Sequence, residues 1–378
     1  MTDGSLGGGS PWSGRSVLIT GVCGTVGREL LRQVLRQGPG RVAGLDNNES
    51  ELFFLMEEHR GMAEVDFLLG DVRDRDKLTR SMRGIDIVLH AAALKHVILC
   101  EHSPRDAIQS NILGVQNIID AAEAAQVERV LFTSSDKAVN PTNVMGTSKL
   151  MGERLMTAAN AAASMGGSMG ASMSALLTDG GQTRPLFAST RFGNVLGSRG
   201  SVIPLFRRQI AAGGPLTLTD PNMTRFIMTL QEAVRLVMES TFLARGGEVF
   251  VTKMPVVRIA DLAYVMRETL APCYGYEPEQ IEIKVIGPKA GEKLYEELMN
   301  DEETRRTVEL ERYFVVLPAF RAPNCTIDYT YPGTLAERVD RPYNSSVEAW
   351  MGREDLHAYL LSNQLLEEKG HASSDSGR

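Results

Sequence analysis

Cysteine is scarce in this chain and lies scattered: Cys23, Cys100, Cys273 and Cys325 form no Cys-x-x-Cys pair. That spacing argues against the common zinc frameworks and against a disulfide-stapled scaffold; free thiols in a reducing cytoplasm are the simplest reading. No metal site is expected. Long hydrophobic runs are missing too, since no apolar stretch approaches the ~18–20 residues that a membrane span requires. The opening residues MTDGSLGGGSPWSG lack the basic and apolar blocks of a secretory signal. An excess of positive charge is also absent: 40 basic against 47 acidic side chains leave a formal charge of −7. This balance argues against a general nucleic-acid or anionic-membrane binder, while leaving room for a local basic pocket. Apolar residues, by contrast, make up 43% of the 378. Such a chain can bury a core, is not intrinsically disordered, and has the length of one large or two modest domains.

Short β-branched runs alternate with helical patterns from residue 15 onward. Ser16–Thr20, Arg41–Asp46, Val65–Val72, Asp86–Ala93, Arg129–Asp136 and Pro185–Val195 read as strands, while Gly27–Gln37 and Ala107–Ala125 carry apolar residues at helical spacing. The alternation predicts an α/β fold, a doubly wound parallel sheet with right-handed crossovers and helices on both faces. Residues 15–195 are expected to form this Rossmann-like nucleotide-binding domain. Residues 196–366, where the pattern loosens, are expected to be mainly a smaller substrate-binding lobe interleaved with it. The Gly/Ser-rich residues 1–14 and the polar residues 367–378 are expected to be disordered. Residues 160–184, rich in Ala, Gly, Ser and Met, read as a flexible insertion; a mobile lid or partner-binding loop is the alternative, supported by nothing beyond length.

The strongest local signal is Thr20-Gly21-Val22-Cys23-Gly24-Thr25-Val26-Gly27, directly after the first strand and opening the first helix. Glycines there let the backbone turn tightly and approach a pyrophosphate held at the helix N-terminus. Asp46 closes the second strand 19 residues beyond Gly27, where an acid can accept hydrogen bonds from adenosine ribose hydroxyls. The next residues, Asn47-Asn48-Glu49, include no Arg to hold a 2′-phosphate, which favours NAD over NADP.

The Gly-x-x-Gly-x-x-Gly spacing resembles the extended short-chain dehydrogenase/reductases, and further marks of that family follow in order. Gly70-Asp71-Val72-Arg73-Asp74 resembles its acidic element beside the adenine, His90-Ala91-Ala92-Ala93 its small-residue strand end, and Asn111 its helix asparagine. Leu94-Lys95-His96-Val97, Ser135-Asp136-Lys137-Ala138-Val139-Asn140-Pro141, the run from Arg191 to Pro204, Met223-Thr224-Arg225-Phe226 and Gly291-Glu292-Lys293 narrow the match. Over roughly residues 15–300 the series resembles the UDP-N-acetylglucosamine 4,6-dehydratases of the polysaccharide-biosynthesis (CapD-like) branch. The resemblance implies NAD contacts at Gly21, Gly24, Thr25, Val26 and Gly27, at Asp46 and Asn47, and at Asp71 and Val72. It implies others at Ala91, Ala92, Ala93 and Lys95, and at Asn111, Ser134, Lys149 and Phe192.

One departure stands out. Where short-chain dehydrogenases carry Tyr-x-x-x-Lys, this chain has Met145-Gly-Thr-Ser-Lys149, two positions one helical turn apart. Lys149 can still hold the nicotinamide ribose, but a thioether is neither acid nor base. A subset of the 4,6-dehydratases also carries methionine there, so the change points to that subset. The resemblance implies internal redox chemistry in which hydride leaves sugar carbon 4, water is lost across carbons 5 and 6, and hydride returns to carbon 6. Asp136 would be the acid, Lys137 the base at carbon 5, and Ser135 would orient the carbon 4 hydroxyl. Each needs a shifted pKa, Asp136 up and Lys137 down; burial pushes both that way and their mutual attraction pushes back. Lys95, His96, Asn194, Ser201, Val202, Arg225, Arg258 and Glu292 are the sugar-nucleotide contacts by the same resemblance.

A cytoplasmic, homo-oligomeric sugar-nucleotide 4,6-dehydratase for surface-sugar synthesis is therefore expected, with no nucleic-acid partner. Membrane-bound relatives carry a multi-span N-terminal region that this sequence does not show. UDP- and GDP-N-acetylglucosamine both remain open as substrates, as does the outcome at carbon 5. A non-catalytic NAD-binding regulator on the same scaffold and a sugar-nucleotide 4-epimerase are the alternatives.

Overall fold

The computed structural model describes residues 9–164, 184–198, 200–287, 291–320 and 327–366. Two compact units emerge. The first joins Met1–Gly193, Leu230–Lys253 and Glu297–Asn344; the second joins Asn194–Thr229, Met254–Glu296 and Ser345–Arg378.

The first unit is built on a ten-stranded sheet. Its strands β1 (Ser16–Thr20), β2 (Arg41–Asp46), β3 (Val65–Leu69), β4 (Ile87–His90), β5 (Arg129–Thr133) and β6 (Leu186–Arg191) lie in the order 3-2-1-4-5-6, every pair parallel. Val249–Thr252 adds a parallel strand beside β6, and Tyr313–Val316, Thr307–Leu310 and Thr334–Ala336 extend the sheet antiparallel. Period-two alternation sends successive side chains to opposite faces. Val17, Ile19, Ile87, Leu89 and Leu131 enter one apolar cluster, while Leu18, Val88, Val130 and Phe132 enter another. Both faces are buried, which is why these strands read as continuous hydrophobic runs. The strand order reverses between β1 and β4, and beyond the C-terminal ends of the strands at such a point open α/β sheets bind their ligands.

Several boundaries differ from the sequence expectation. Strands β3, β4 and β5 stop three residues before the expected Val72, Ala93 and Asp136, because side-chain and turn bonds capture the backbone there. Asp71 accepts from the Arg73 N–H, for example, and Ser135 from the Lys137 N–H. Pro185–Val195 splits into β6 and a short strand, Asn194–Val195, that belongs to the second unit. The expected helix over 107–125 is broken by a π-helical turn, Ile108–Leu113, before Gly114–Ala125 resumes. Residues 9–14 are not disordered: they form a turn whose Trp12 is buried and packs edge-on against Phe242, ring centres 4.9 Å apart. Residues 1–8, 165–183 of the expected insertion and the whole 367–378 tail lie outside the described residues.

The second unit holds a three-stranded sheet of Val256–Arg258, Thr224–Met228 and Asn194–Val195, and a parallel pair, Leu216–Leu218 with Ile283–Val285. The helices Val202–Ala211, Ile259–Leu270 and Arg353–Ser362 supply Phe206, Ile210, Leu262, Met266 and Leu360 to one core. Among the described residues no helix is long and apolar enough to cross a membrane, and no cluster of His, Cys, Asp or Glu could hold a metal ion.

Candidate active site

Glycines shape the turn after β1. Gly21 has a φ of +72°, and a Cβ there would lie 2.7 Å from the Ala92 backbone; a Cβ on Gly27 would lie 2.1 Å from the Gly21 carbonyl oxygen. Only glycine lets β1 turn this sharply into α1 (Thr25–Leu35) while Ala91 and Ala92, just beyond β4, pass against it. Gly24 is the N-cap and brings no side-chain cap, so the first turn at Thr25, Val26 and Gly27 presents bare N–H groups and the positive helix end. Asp46 is held beside this turn, accepting from the Cys23 N–H at 2.9 Å and the Asn48 N–H at 3.0 Å. Burial, with the Asp46 charge adding, pushes the Cys23 thiol up to about 12, so it stays protonated and unreactive. Asn47 donates to Asp71 at 3.1 Å, and the hydrogen bond from Arg73 holds the Asp71 carboxyl down at about 2. Val72 packs buried against Gly114. Beyond β5, Ser134 is buried with a hydroxyl that has no hydrogen-bond partner. A cradle too tight for any Cβ, an uncapped helix start, a fixed acid and an unmet hydroxyl together fit a dinucleotide.

The residues expected to carry the chemistry follow β5. Asp136, whose N–H donates to the Phe192 carbonyl at 3.2 Å, opens a short 3₁₀ turn, Asp136–Ala138. The Ser135 hydroxyl donates to Asp136 Oδ1 at 2.5 Å, and Lys137 Nζ pairs with Oδ2 at 2.9 Å. The Asp136 side chain is 3% exposed and that of Lys137 31%. Lys149 is buried on the helix Val144–Ser164; its Nζ donates to the Thr133 carbonyl at 2.9 Å and lies 4.7 Å from the Phe132 ring centre. Burial lowers its pKa to about 8, with the Glu153 carboxylate opposing. Met145, one turn earlier, is buried in an apolar cluster with Cys100 and Ala107. Lys95 and His96 follow β4 and are exposed.

Several expected contacts are engaged within the protein. Asn111, in the π-helical turn, accepts from the Leu94 N–H at 2.8 Å and donates to the Leu94 carbonyl and to Ser148 Oγ, both at 2.9 Å. Its amide is committed to the protein, tying the exit of β4 to the helix of Lys149. A π-turn at such a place is a frequent companion of function. Arg225, in the second unit, is buried among the carbonyls of Thr224, Lys293 and Leu294 and the carboxylates of Glu292 and Glu296. Its guanidinium organises the 292–296 segment and leaves little for the pyrophosphate expected of it. Asn194 donates to Glu296 at 3.2 Å. Ser201 stands at the N-cap of the helix that begins at Val202 without a side-chain cap bond, and its buried hydroxyl has no hydrogen-bond partner. Arg258 pairs with Asp261 at 2.6 Å and stacks over Trp350, so it too is engaged within the unit.

Two residues that sequence reasoning did not single out stand close to this chemistry. His90 is fully buried at the end of β4, its Nδ1 2.7 Å from Thr20 Oγ1 and its Nε2 without a partner. Burial, with the Lys149 charge adding, holds it neutral, with a pKa near 3. A histidine ending an otherwise apolar strand was the available signal. Arg191, at the end of β6, is fully buried and bound by Glu153 and Glu303. Its place in a motif was visible, its carboxylate partners 38 and 112 positions away were not.

Known proteins resemble this arrangement over most of the chain. An uncharacterized membrane protein of Methanocaldococcus jannaschii is 48% identical over 346 residues, 92% of this chain and 95% of that protein. The UDP-N-acetylglucosamine 4,6-dehydratase (inverting) of Campylobacter jejuni is 34% identical over 352 residues, 91% of this chain and 97% of that enzyme. Among solved structures, Pen from Bacillus thuringiensis superposes with a TM-score of 0.82 at 39% identity, covering 94% of this chain and all of that one. The family model described as polysaccharide biosynthesis protein matches residues 17–318, and with relatives this similar over nearly their full lengths the chain belongs to that family.

Proposed function

We propose that this chain is an NAD-dependent sugar-nucleotide 4,6-dehydratase acting on UDP-N-acetylglucosamine, with GDP-N-acetylglucosamine as the competing substrate. The observation that carries the reading is the Ser135–Asp136–Lys137 relay, which stands in the same unit as the glycine cradle and Lys149. A pure binder has no use for a linked hydroxyl, carboxylate and amine at a strand end. An epimerase reading loses its usual tyrosine, because Met145 is buried in an apolar cluster.

NAD, when bound, supplies the hydride acceptor for sugar carbon 4 and the hydride donor for carbon 6. The glycine turn and the start of α1 hold its pyrophosphate, and Asp46 its adenosine ribose. Ser135 passes the proton of the carbon 4 hydroxyl to Asp136, to which it is already hydrogen-bonded. Protonated Asp136 then gives that proton to the departing carbon 6 hydroxyl, which leaves as water. Neutral Lys137 takes the carbon 5 proton, made acidic by the new ketone, and returns a proton there as the hydride arrives at carbon 6. The protons balance, and only one water is lost. Lys137 starts as the cation of an ion pair, so a sugar covering its exposed side must lower its pKa by desolvation. Lys95 and His96 are the sugar-side contacts in this reading. It places the protein in the cytoplasm. Exposed Ile98 and Leu99 on the helix Val97–His102 and exposed Met151 on the helix of Lys149 support a homo-oligomer.

Mass spectrometry and proton NMR of both N-acetylglucosamine nucleotides, incubated with protein and NAD in deuterium oxide, test this. Loss of one water, deuterium at carbon 5 and no net NADH are expected, and the ring couplings give the configuration at carbon 5. Unchanged sugars alongside bound NAD would leave the regulatory reading in its place, and a carbon 4 epimer would make the protein an epimerase.

A further inference from the structure

Arg191 is enclosed by two carboxylates from distant parts of the first unit. Its Nε and Nη2 meet Glu153 at 2.8 and 2.7 Å, its Nη1 and Nη2 meet Glu303 at 2.8 Å each, and Nη1 also donates to the Leu298 carbonyl at 3.1 Å. All three side chains are 2–3% exposed. Two carboxylates face one guanidinium; Arg306, 3.9 Å from Glu303, is held more closely by Glu302 at 2.9 Å, so the triad keeps an excess of negative charge. Glu153 lies one helical turn beyond Lys149 on the same helix.

Glu303 belongs to a segment that also bonds the stretch after the Asp136–Ala138 turn. It is locked by a reciprocal capping box with Asn300, and in the same segment Glu297 accepts from Asn140 Nδ2 at 3.1 Å, just past the Asp136–Ala138 turn. We propose that the Glu153–Arg191–Glu303 triad is a positioning device for Lys149, fixing its helix and setting a net negative charge beside its ammonium. Of the other titratable groups on elements packed against that helix, Glu101 accepts from the Val144 N–H at 2.6 Å, Asp120 pairs with Arg75, and Glu101, His102, Arg105, Asp106 and Glu123 are all exposed to screening solvent. His90 and Cys100 are held neutral by burial, and Asp136 and Lys137 offset one another. Glu153 is thus the carboxylate that opposes the desolvation of Lys149.

The inference rests on Lys149 being the cofactor-facing lysine, and its test separates the two. The titration of Lys149 is followed by NMR of its labelled side-chain carbon in wild type, Glu153→Gln and Glu303→Gln, alongside NAD affinity across pH. Glu153→Gln should lower the Lys149 midpoint by about one unit. The alkaline loss of NAD affinity should move down with it. Glu303→Gln should move both the same way by less, since Arg191 would then neutralise Glu153 alone. Glu153→Asp, which keeps the charge, should stay near wild type. A merely structural triad would change the melting temperature and leave the midpoints where they were, and that result in either glutamine variant that folds overturns the proposal. Failure of wild type to bind NAD would instead overturn the assignment of Lys149.

Discussion

Two ion clusters stand at neighbouring strand ends of one sheet and have opposite characters. After β6, Arg191 and its two glutamates are sealed from water, and every guanidinium nitrogen has a partner. After β5, Asp136 is buried while Lys137 keeps 31% of its side chain exposed. A closed, fully partnered network resists any change of protonation, because breaking it leaves a charge buried without compensation. A pair with one wet member can exchange protons with whatever covers it. The difference in closure separates a cluster that holds from one that can exchange protons.

The largest expected effect breaks the reactive side. Lys137→Met should cut turnover by about 10³–10⁴-fold, the span of a lost general base, while NAD affinity stays within about twofold of wild type. Steady-state kinetics and calorimetric NAD titration check it, and an unimpaired variant would remove Lys137 from the mechanism. Next comes the closed side. Arg191→Met strands two carboxylates and should cost about 3–5 kcal/mol of unfolding free energy, measured by denaturant titration. Should Arg191→Met leave stability intact and abolish turnover alone, the contrast between the clusters would collapse.

Much of the first unit could be read from the sequence because its information is local. The Gly21–Gly27 turn, the two-faced strands and Asp46 each follow from a short window of residues obeying one backbone rule. What stayed hidden depends on contacts between windows. Nothing near Asn111 announces that its amide joins Leu94 to Ser148, and nothing near Arg225 announces that three carbonyls and two glutamates surround it. Motif position marked both residues, and the bonds that engage them within the protein come from elsewhere in the chain. Strand ends were overestimated for a related reason: alternation persists in the sequence after turn bonds have taken the backbone.

Met145 gives the smallest effect and the sharpest check on closure as a guide. It occupies the position where a tyrosine would make the site's acid or base, yet it is 3% exposed and packs with Cys100 and Ala107. If closure marks residues that hold, Met145 is filling space. Met145→Leu, a swap of nearly equal volume, should then cost less than about 1.5 kcal/mol of stability. Turnover should stay within about threefold of wild type, a barrier change of under 1 kcal/mol. Thermal melts and kcat measured side by side decide it. A leucine variant that folds and binds NAD normally but turns over a hundredfold more slowly would mean that the thioether meets the sugar. Burial in the free protein would then be a poor guide to which residues reach the substrate, Lys137 and Arg191 included.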